Sequence, residues 1–152
     1  MDGMRRAGKV SLPILIAIVG VVALVFLVFF AKEGPAAAGS RFMDALARGD
    51  VDTLTKTSYA DGKSPEDLRK EWEFATKVAG QHYRFKWGIV SSSVTSEDSA
   101  VVRLQVQKNY GPGSYDENFG LTLRKIKNEW KVDPTGISPE MYPALPRAGK
   151  TL

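Results

Sequence analysis

An uncharged apolar run from Leu12 to Ala31 is the feature that most constrains this chain. It reads LPILIAIVGVVALVFLVFFA, and three basic residues stand before it: Arg5, Arg6 and Lys9. A 20-residue helix is about 30 Å long, which matches the hydrocarbon thickness of a bilayer. Leu, Ile, Val and Phe each favour insertion by about 0.3–0.6 kcal/mol at the helix centre. The run therefore predicts a transmembrane helix over 12–31.

The flanking charges predict the orientation of this helix. Basic residues are concentrated before the run, so the positive-inside rule places residues 1–11 in the cytoplasm and the C-terminal domain in the periplasm or outside the cell. We expect side chains along the whole helix to contact lipid, among them Leu12, Ile16, Val19, Leu24, Leu27 and Phe30. The alternative is a signal peptide cleaved at the small residues Ala36–Ala38. Its hydrophobic region usually spans only about 7–15 residues, so the pattern favours a retained single-pass anchor in the cell membrane.

Composition excludes several classes of function. The chain has no cysteine, which excludes a bacterial lipoprotein anchor, disulfides, thiol catalysis and zinc–thiolate sites. Half of the formal net charge of +4 lies in the first 31 residues, so the remainder is nearly balanced. Nucleic-acid binding needs a dense basic footprint, and we expect no nucleic-acid partner. The expected organisation is a cytoplasmic N-terminus (1–11), the membrane helix (12–31), a linker (32–36), one domain (37–135) and a proline-containing tail (136–152).

Helical periodicity comes first in the outer domain. Apolar residues recur at helical spacing up to Arg48–Gly49, and Asp50 is placed to cap a second, short helix. Ser64 and Pro65 are typical of a helix start. Four residues form an apolar stripe on that third helix: Leu68, Trp72, Ala75 and Ala79. We expect Trp72 to pack on the sheet, against Phe85, Trp87, Leu104 or Leu121.

The period then changes to two, which is typical of strands. Turn sequences at 96–99, 111–114 and 127–129 separate four alternating segments. They predict an antiparallel meander with one apolar face, and the helices that precede it must cover that face. The predicted class is α+β: an N-terminal transmembrane helix, then helices packed on a curved, cone-like antiparallel sheet.

The motif FxxALxxGD at 42–50, the capped helix and the closing strand EWKV at 129–132 together resemble the nuclear-transport-factor-2-like (NTF2-like, cystatin-like α+β cone) superfamily. The resemblance covers residues 36–135 and implies a bent sheet wrapped around helices, with a pocket inside the cone. Members include isomerase-like enzymes, dehydratases, binding modules and scaffolding subunits, so the resemblance implies a fold without selecting an activity.

The predicted inward side chains offer little for catalysis. They are apolar or aromatic, with no carboxylate among them: Tyr83, Phe85, Trp87, Ile89, Val102, Leu104, Val106, Phe119, Leu121, Leu123, Trp130 and Val132. His82 has no evident orienting partner, and no ligand cluster predicts a metal or a cofactor. We therefore predict a protein that is not an enzyme. The alternative is a ligand-binding or enzymatic cone. In that case Asp44 or Glu73 enters the pocket from a helix, and the tryptophans line the pocket.

The outward strand positions predict a binding surface. Five basic residues fall there by alternation, with no acid in the pattern: Arg84, Lys86, Arg103, Arg124 and Lys131. Such a face suits an acidic partner or lipid headgroups, although charge on an open sheet is also ordinary. The tail at 139–146 is either a docking strap or a poorly ordered terminus. We expect an accessory or scaffold subunit that binds protein subunits of a larger membrane complex.

Overall fold

The computed structural model describes residues 16–17, 20–21, 33–79, 84–108 and 115–142. Residues 1–32 and 33–152 form two separate units. In the first unit the described residues are helical, and Ile16 is exposed, whereas most of the predicted membrane helix lies outside the described residues, including Leu12, Val19, Leu24, Leu27 and Phe30. Among the residues described, none of the helices combines the length and apolar composition that a membrane crossing requires.

Three helices open the second unit: α1 (Pro35–Arg48), α2 (Val51–Thr57) and α3 (Pro65–Ala79). Gly49 ends α1 in the left-handed conformation (φ 68°), which glycine adopts without steric cost. Asp50 caps α2 by accepting a hydrogen bond from the Thr53 amide at 3.1 Å. Ser64 caps α3, since its hydroxyl accepts from the Asp67 amide at 3.1 Å. These helix ends agree with the sequence analysis because capping depends on neighbouring residues only.

Four strands follow: β1 (Phe85–Ser96), β2 (Ser99–Lys108), β3 (Tyr115–Ile126) and β4 (Glu129–Val132). All neighbouring pairs are antiparallel, and the order is β1-β2-β3-β4. The hairpin between β3 and β4 turns at Lys127 and Asn128, both with positive φ (49° and 71°), as tight hairpins require. The predicted α+β class and antiparallel meander are confirmed.

The helices cover one face of this sheet, which we call the inner face; the other is the outer face. α1 packs on the sheet and buries Phe42, Met43 and Leu46 against it. β2 and β3 supply the opposing layer, which is fully buried: Ala100, Val102, Leu104, Val106, Leu121 and Leu123. Phe85, Trp87, Phe119 and Trp130 are partly buried against this core. Ile89 was also predicted inward, and it lies on the inner face opposite Leu104, yet its side chain is exposed.

Trp72 contacts α1 and the segment after α2, and it belongs to the same buried cluster as Leu104 and Leu121 of the sheet. α3 packs mainly on α2, so the ring that meets Trp72 is Phe42 of α1, edge-on with centroids 5.6 Å apart. The indole N–H donates to the Ser58 hydroxyl at 3.1 Å, and Ser58 in turn donates to the Leu54 carbonyl at 2.5 Å. Trp72 is nevertheless buried in the core, as the apolar stripe on α3 predicted.

The chain after β4 belongs to the core. A short 3-10 helix (Pro134–Gly136) follows β4, and Ile137, Met141 and Tyr142 are then buried with the helix and strand residues. The Tyr142 ring meets Phe85 edge-on at 6.4 Å, so this segment reaches the start of β1. Ile137, Met141 and Tyr142, which the sequence assigned to the tail, therefore pack with the domain core.

Candidate functional site

A groove of about 680 Å³ lies where α1 and α3 end and β1 begins. The end of α1 and the start of α2 form one wall, through Leu46 to Gly49 and Val51. The last turns of α3 form another wall, and the start of β1 and Tyr142 complete the lining. The groove therefore joins helices, sheet and C-terminal segment at the end of the core where Tyr142 meets Phe85.

Cations predominate in this groove. Arg48, Lys77 and Arg84 line it, and none of them forms an ion pair with another residue of the described chain. The one acidic side chain in the lining, Glu73, accepts from Arg69 Nε at 3.0 Å. Arg48 and Lys77 also lie in the last turns of their helices, where cations stabilise the negative helix end. The groove is consequently a positively charged recess whose lining also includes apolar side chains, among them Leu46 and Val51.

Burial in the groove affects its tyrosine. Tyr142 is buried, and this burial raises the pKa of its hydroxyl to about 12. At neutral pH Tyr142 is therefore uncharged, and it adds polar and aromatic contact surface without neutralising the three cations.

A partly buried ion pair lies at the same end of the inner face. The register places Lys108 and Glu117 on that face, beyond Val106 and Phe119. Lys108 Nζ lies 2.8 Å from Glu117 Oε2, donates to the Glu140 carbonyl and sits 5.0 Å from the centre of the Phe119 ring. The prediction that no carboxylate falls among the inward positions is therefore wrong, since alternation continues to Glu117. This carboxylate is bound to a lysine, and no described buried polar side-chain atom lacks a partner.

The five residues predicted to form the basic face do not share one surface. Lys86, Arg103, Arg124 and Lys131 occupy outer-face positions on the four strands, while Arg84 precedes β1 and lines the groove. Acids also reach the outer face, contrary to the predicted pattern. Asp116 falls in the same cross-strand row as Gln107 and Lys86.

Two of the outer-face cations have acidic neighbours. Arg124 forms an ion pair with Asp61, and Lys131 Nζ lies 4.0 Å from Glu129 Oε2. The Arg124 guanidinium, with help from the Tyr59 hydroxyl, lowers the pKa of Asp61. The hydrogen bond to Asp61 in turn raises the pKa of Tyr59. The outer face is thus less positive than strand alternation alone indicates.

The other candidates from the sequence have mixed outcomes. Glu73 does line the groove, as the alternative hypothesis allowed, whereas Asp44 is exposed on α1 outside its lining. Trp72, Trp87 and Trp130 pack in or against the core. His82 and Tyr83 lie outside the described residues. Within the described ranges, no group of three acidic or histidine side chains is arranged to hold a metal ion.

Sequence analysis missed Arg48, Lys77, Lys108 and Glu117. For the last two a signal existed, because each lies two positions from a residue predicted inward and alternation assigns it to the same face. For Arg48 and Lys77 no local signal exists. A cation at a helix end is common, and only the packing of α1, α3 and β1 brings these two beside Arg84.

Comparison with known proteins identifies the fold. No protein-family model matches the sequence, and no curated protein matches it significantly. One similar solved structure comes from Thiobacillus denitrificans and is described as a candidate calcium/calmodulin-dependent protein kinase type II association domain. Its TM-score is 0.50 and its sequence identity is 14%, and the match covers 66% of this chain and 90% of that one.

Two further solved structures carry NTF2-like names. A Campylobacter jejuni candidate NTF2-like transpeptidase has a TM-score of 0.48 and 17% identity, over 66% of this chain and 98% of that one. A Shewanella oneidensis NTF2-like protein of unknown function has a TM-score of 0.45 and 17% identity, over 62% and 88%. At these identities the likeness is one of fold alone.

Proposed function

We propose that this chain is a single-pass, membrane-anchored accessory or scaffold subunit whose extracytoplasmic domain binds a protein partner. The observation that carries the proposal is the filled inner face of the sheet. Ile137, Met141 and Tyr142 pack onto it together with α1, and the carboxylate at its end, Glu117, is held by Lys108. General acid–base catalysis needs a carboxylate or imidazole that can reach a bound substrate. A filled face with a paired carboxylate favours binding over catalysis.

The groove is the proposed contact with the partner. Its three cations have no ion-pair partner in the described chain, whereas Arg124 on the outer face already has one. An acidic segment of a partner protein is complementary to this charge, and arginine binds carboxylates with two parallel hydrogen bonds. This proposal moves the contact from the predicted sheet face to the groove, and Arg84 is the residue common to both.

The anchor hypothesis rests on the run from Leu12 to Ala31. A tethered domain meets membrane partners at a high effective concentration, so a contact of modest affinity is sufficient. N-terminal sequencing of membrane-extracted protein tests retention of the anchor. We expect the sequence to begin at the original N-terminus; a mature chain that begins near Gly39 would show that the segment is a cleaved signal peptide.

The contact is tested with paired neutral variants of the full chain. Arg48→Gln with Lys77→Gln removes two charges from the groove, and Arg103→Gln with Lys131→Gln removes two from the outer face. Partners are cross-linked in membranes, recovered with each variant at matched expression and quantified by mass spectrometry. We expect the groove variant to reduce recovery of the main partner at least tenfold, equivalent to about 1.4 kcal/mol, and the outer-face variant to retain it. The opposite result would return the contact to the sheet face.

The second candidate function is a small-ligand-binding or enzymatic domain. The groove volume supports it, since small-molecule sites commonly occupy about 300–1,000 Å³. Cations and apolar side chains in one lining suit an amphiphilic anion, for which decanoate is a simple probe. If decanoate raises the melting temperature of the parent chain but not that of the groove variant, this second function is favoured over the first.

A further inference from the structure

β1 is an edge strand with an unusual composition. In the described part of the chain it pairs with β2 on one side and with no strand on the other. No charged residue occurs from Trp87 to Ser96, and every residue from Gly88 to Ser96 is exposed. Three large apolar side chains lie along it: Ile89, Val90 and Val94 are 37%, 61% and 59% exposed.

The opposite edge of the sheet is protected in two ways. β4 is only four residues long, and the segment after α2 runs beside it, where the Tyr59 amide donates to the Val132 carbonyl at 2.9 Å. Edge strands of soluble domains are usually short, charged, proline-containing or covered, because an open edge pairs with other chains. β1 is long, lacks proline and has no charge over its last ten residues. Its protection is confined to two bulges, at Val90 and at Thr95.

We propose that this edge is an interaction surface for a second copy of the same chain, paired antiparallel about a twofold axis. The absence of charge supports a contact between two copies, because two uncharged strands pair without bringing like charges together. A charged partner strand would find no opposite charge on β1. The proposal does not depend on the groove, which lies at the other end of the strand.

The register supports the same partner. The bulge at Val90 leaves Ile89, Ser92 and Val94 on the inner face, opposite Leu104, Val102 and Ala100 of β2. Opposite residues of antiparallel strands share a face. Setting Ile89 of one copy opposite Val94 of the other therefore places Ser92 of both copies on the twofold axis. Val90 is the extra residue of the bulge and is skipped in this register. Ile89 and Val94 of each copy then meet Val94 and Ile89 of the other, and the four-stranded sheets join into one of eight strands.

The expected strength of this contact is modest. One strand edge buries less surface than the roughly 800 Å² per partner of a standard stable interface. We therefore expect a reversible dimer that is most populated at high local concentration, as for a chain held in a membrane.

A single cysteine tests the geometry, because the chain has none of its own. Ser92→Cys in the purified full chain places two Cα atoms about 4.5–5.5 Å apart across the axis, within the range that a disulfide spans. The matched control is Lys70→Cys, at an exposed position on α3. After mild oxidation we expect a disulfide-linked dimer fraction at least ten times larger for Ser92→Cys than for the control. Equal dimer fractions would overturn the proposal.

A second pair of variants separates this surface from other contacts. Adding Val94→Lys to Ser92→Cys places a charge at the strand edge, and we expect at least a tenfold loss of the dimer. Gln105→Lys makes the same addition of charge on the exposed outer face of the central strand β2 and should leave the dimer intact. A dimer that persists with Val94→Lys would show that the copies meet elsewhere and would also overturn the proposal.

Discussion

The Trp72→Ala variant is the sharpest test of how the helices hold the domain together. Trp72 is 1% exposed, packs edge-on against Phe42 and donates a hydrogen bond to Ser58. Removing a buried tryptophan side chain costs about 3–5 kcal/mol, because apolar contacts are lost and a cavity remains. The lost hydrogen bond adds about 1 kcal/mol at most, since Ser58 keeps its bond to Leu54. We expect a loss of about 4 kcal/mol in the free energy of unfolding.

The expected loss is a large share of the domain's free energy of unfolding. Domains of this size are stable by about 5–15 kcal/mol, so the variant retains a folded state with a much lower melting temperature. One kcal/mol shifts the melting temperature of a domain of this length by about 3–6 °C, so the expected decrease is at least 10 °C. Thermal and urea unfolding of residues 33–152, the compact second unit, measures it.

Two control variants divide the effect into its parts. Trp72→Phe keeps an aromatic ring against Phe42 but removes the indole N–H, and we expect a loss of about 1–2 kcal/mol. Combining Trp72→Phe with Ser58→Ala should give a coupling energy near 1 kcal/mol in a double-mutant cycle, because both changes break one bond. A Trp72→Ala variant that melts within about 3 °C of the parent would refute the packing of α3 on α1 and α2.

Two further predictions concern charges that the fold brings together. Lys108→Met should destabilise the domain by about 1–3 kcal/mol in urea unfolding, because the partly buried Glu117 carboxylate is left without its partner. The Lys108→Met, Glu117→Gln double variant should recover much of that loss, and a double variant no better than the single one would contradict the pairing. Arg124 lowers the pKa of Asp61 below its usual 3.8, so the contribution of Asp61 to stability is present above about pH 4 and is lost as the pH falls through the folded-state value. Asp61→Asn should therefore lower stability at pH 6 and lower it progressively less in more acidic solution, and a loss that does not change with pH would argue against the ion pair.

Local patterns were sufficient for most of the secondary structure. Gly49, Asp50 and Ser64 mark helix ends through contacts with residues at most five positions away, and alternation identified strands that the fold retains. The core face followed for the same reason, since a period of two assigns side chains to a face without knowledge of the partner strand. The predicted set of inward residues stopped short of the strand ends. There Lys108 and Glu117 continue the alternation on the inner face as charged residues.

Other features depend on residues distant in the chain. Arg124 and Asp61 are 63 positions apart, so no local pattern reports that this cation is neutralised. The burial of Met141 and Tyr142 results from the path of the chain after β4, although a proline-containing sequence resembles a free tail. Sequence alone therefore overestimated the charge of the outer face and assigned these core residues to the tail.

The sequence by itself determined the apolar run at 12–31, the α+β class and the residues that face the core, because each follows from composition, capping or periodicity. Only the tertiary structure decided which charges meet and which strand edge is open. Arg48, Lys77 and Arg84 become one groove through helix packing, and β1 becomes the exposed edge through strand order, while β4 is shielded by the segment after α2. These are relations between elements, and their energies arise from contacts that no single segment contains.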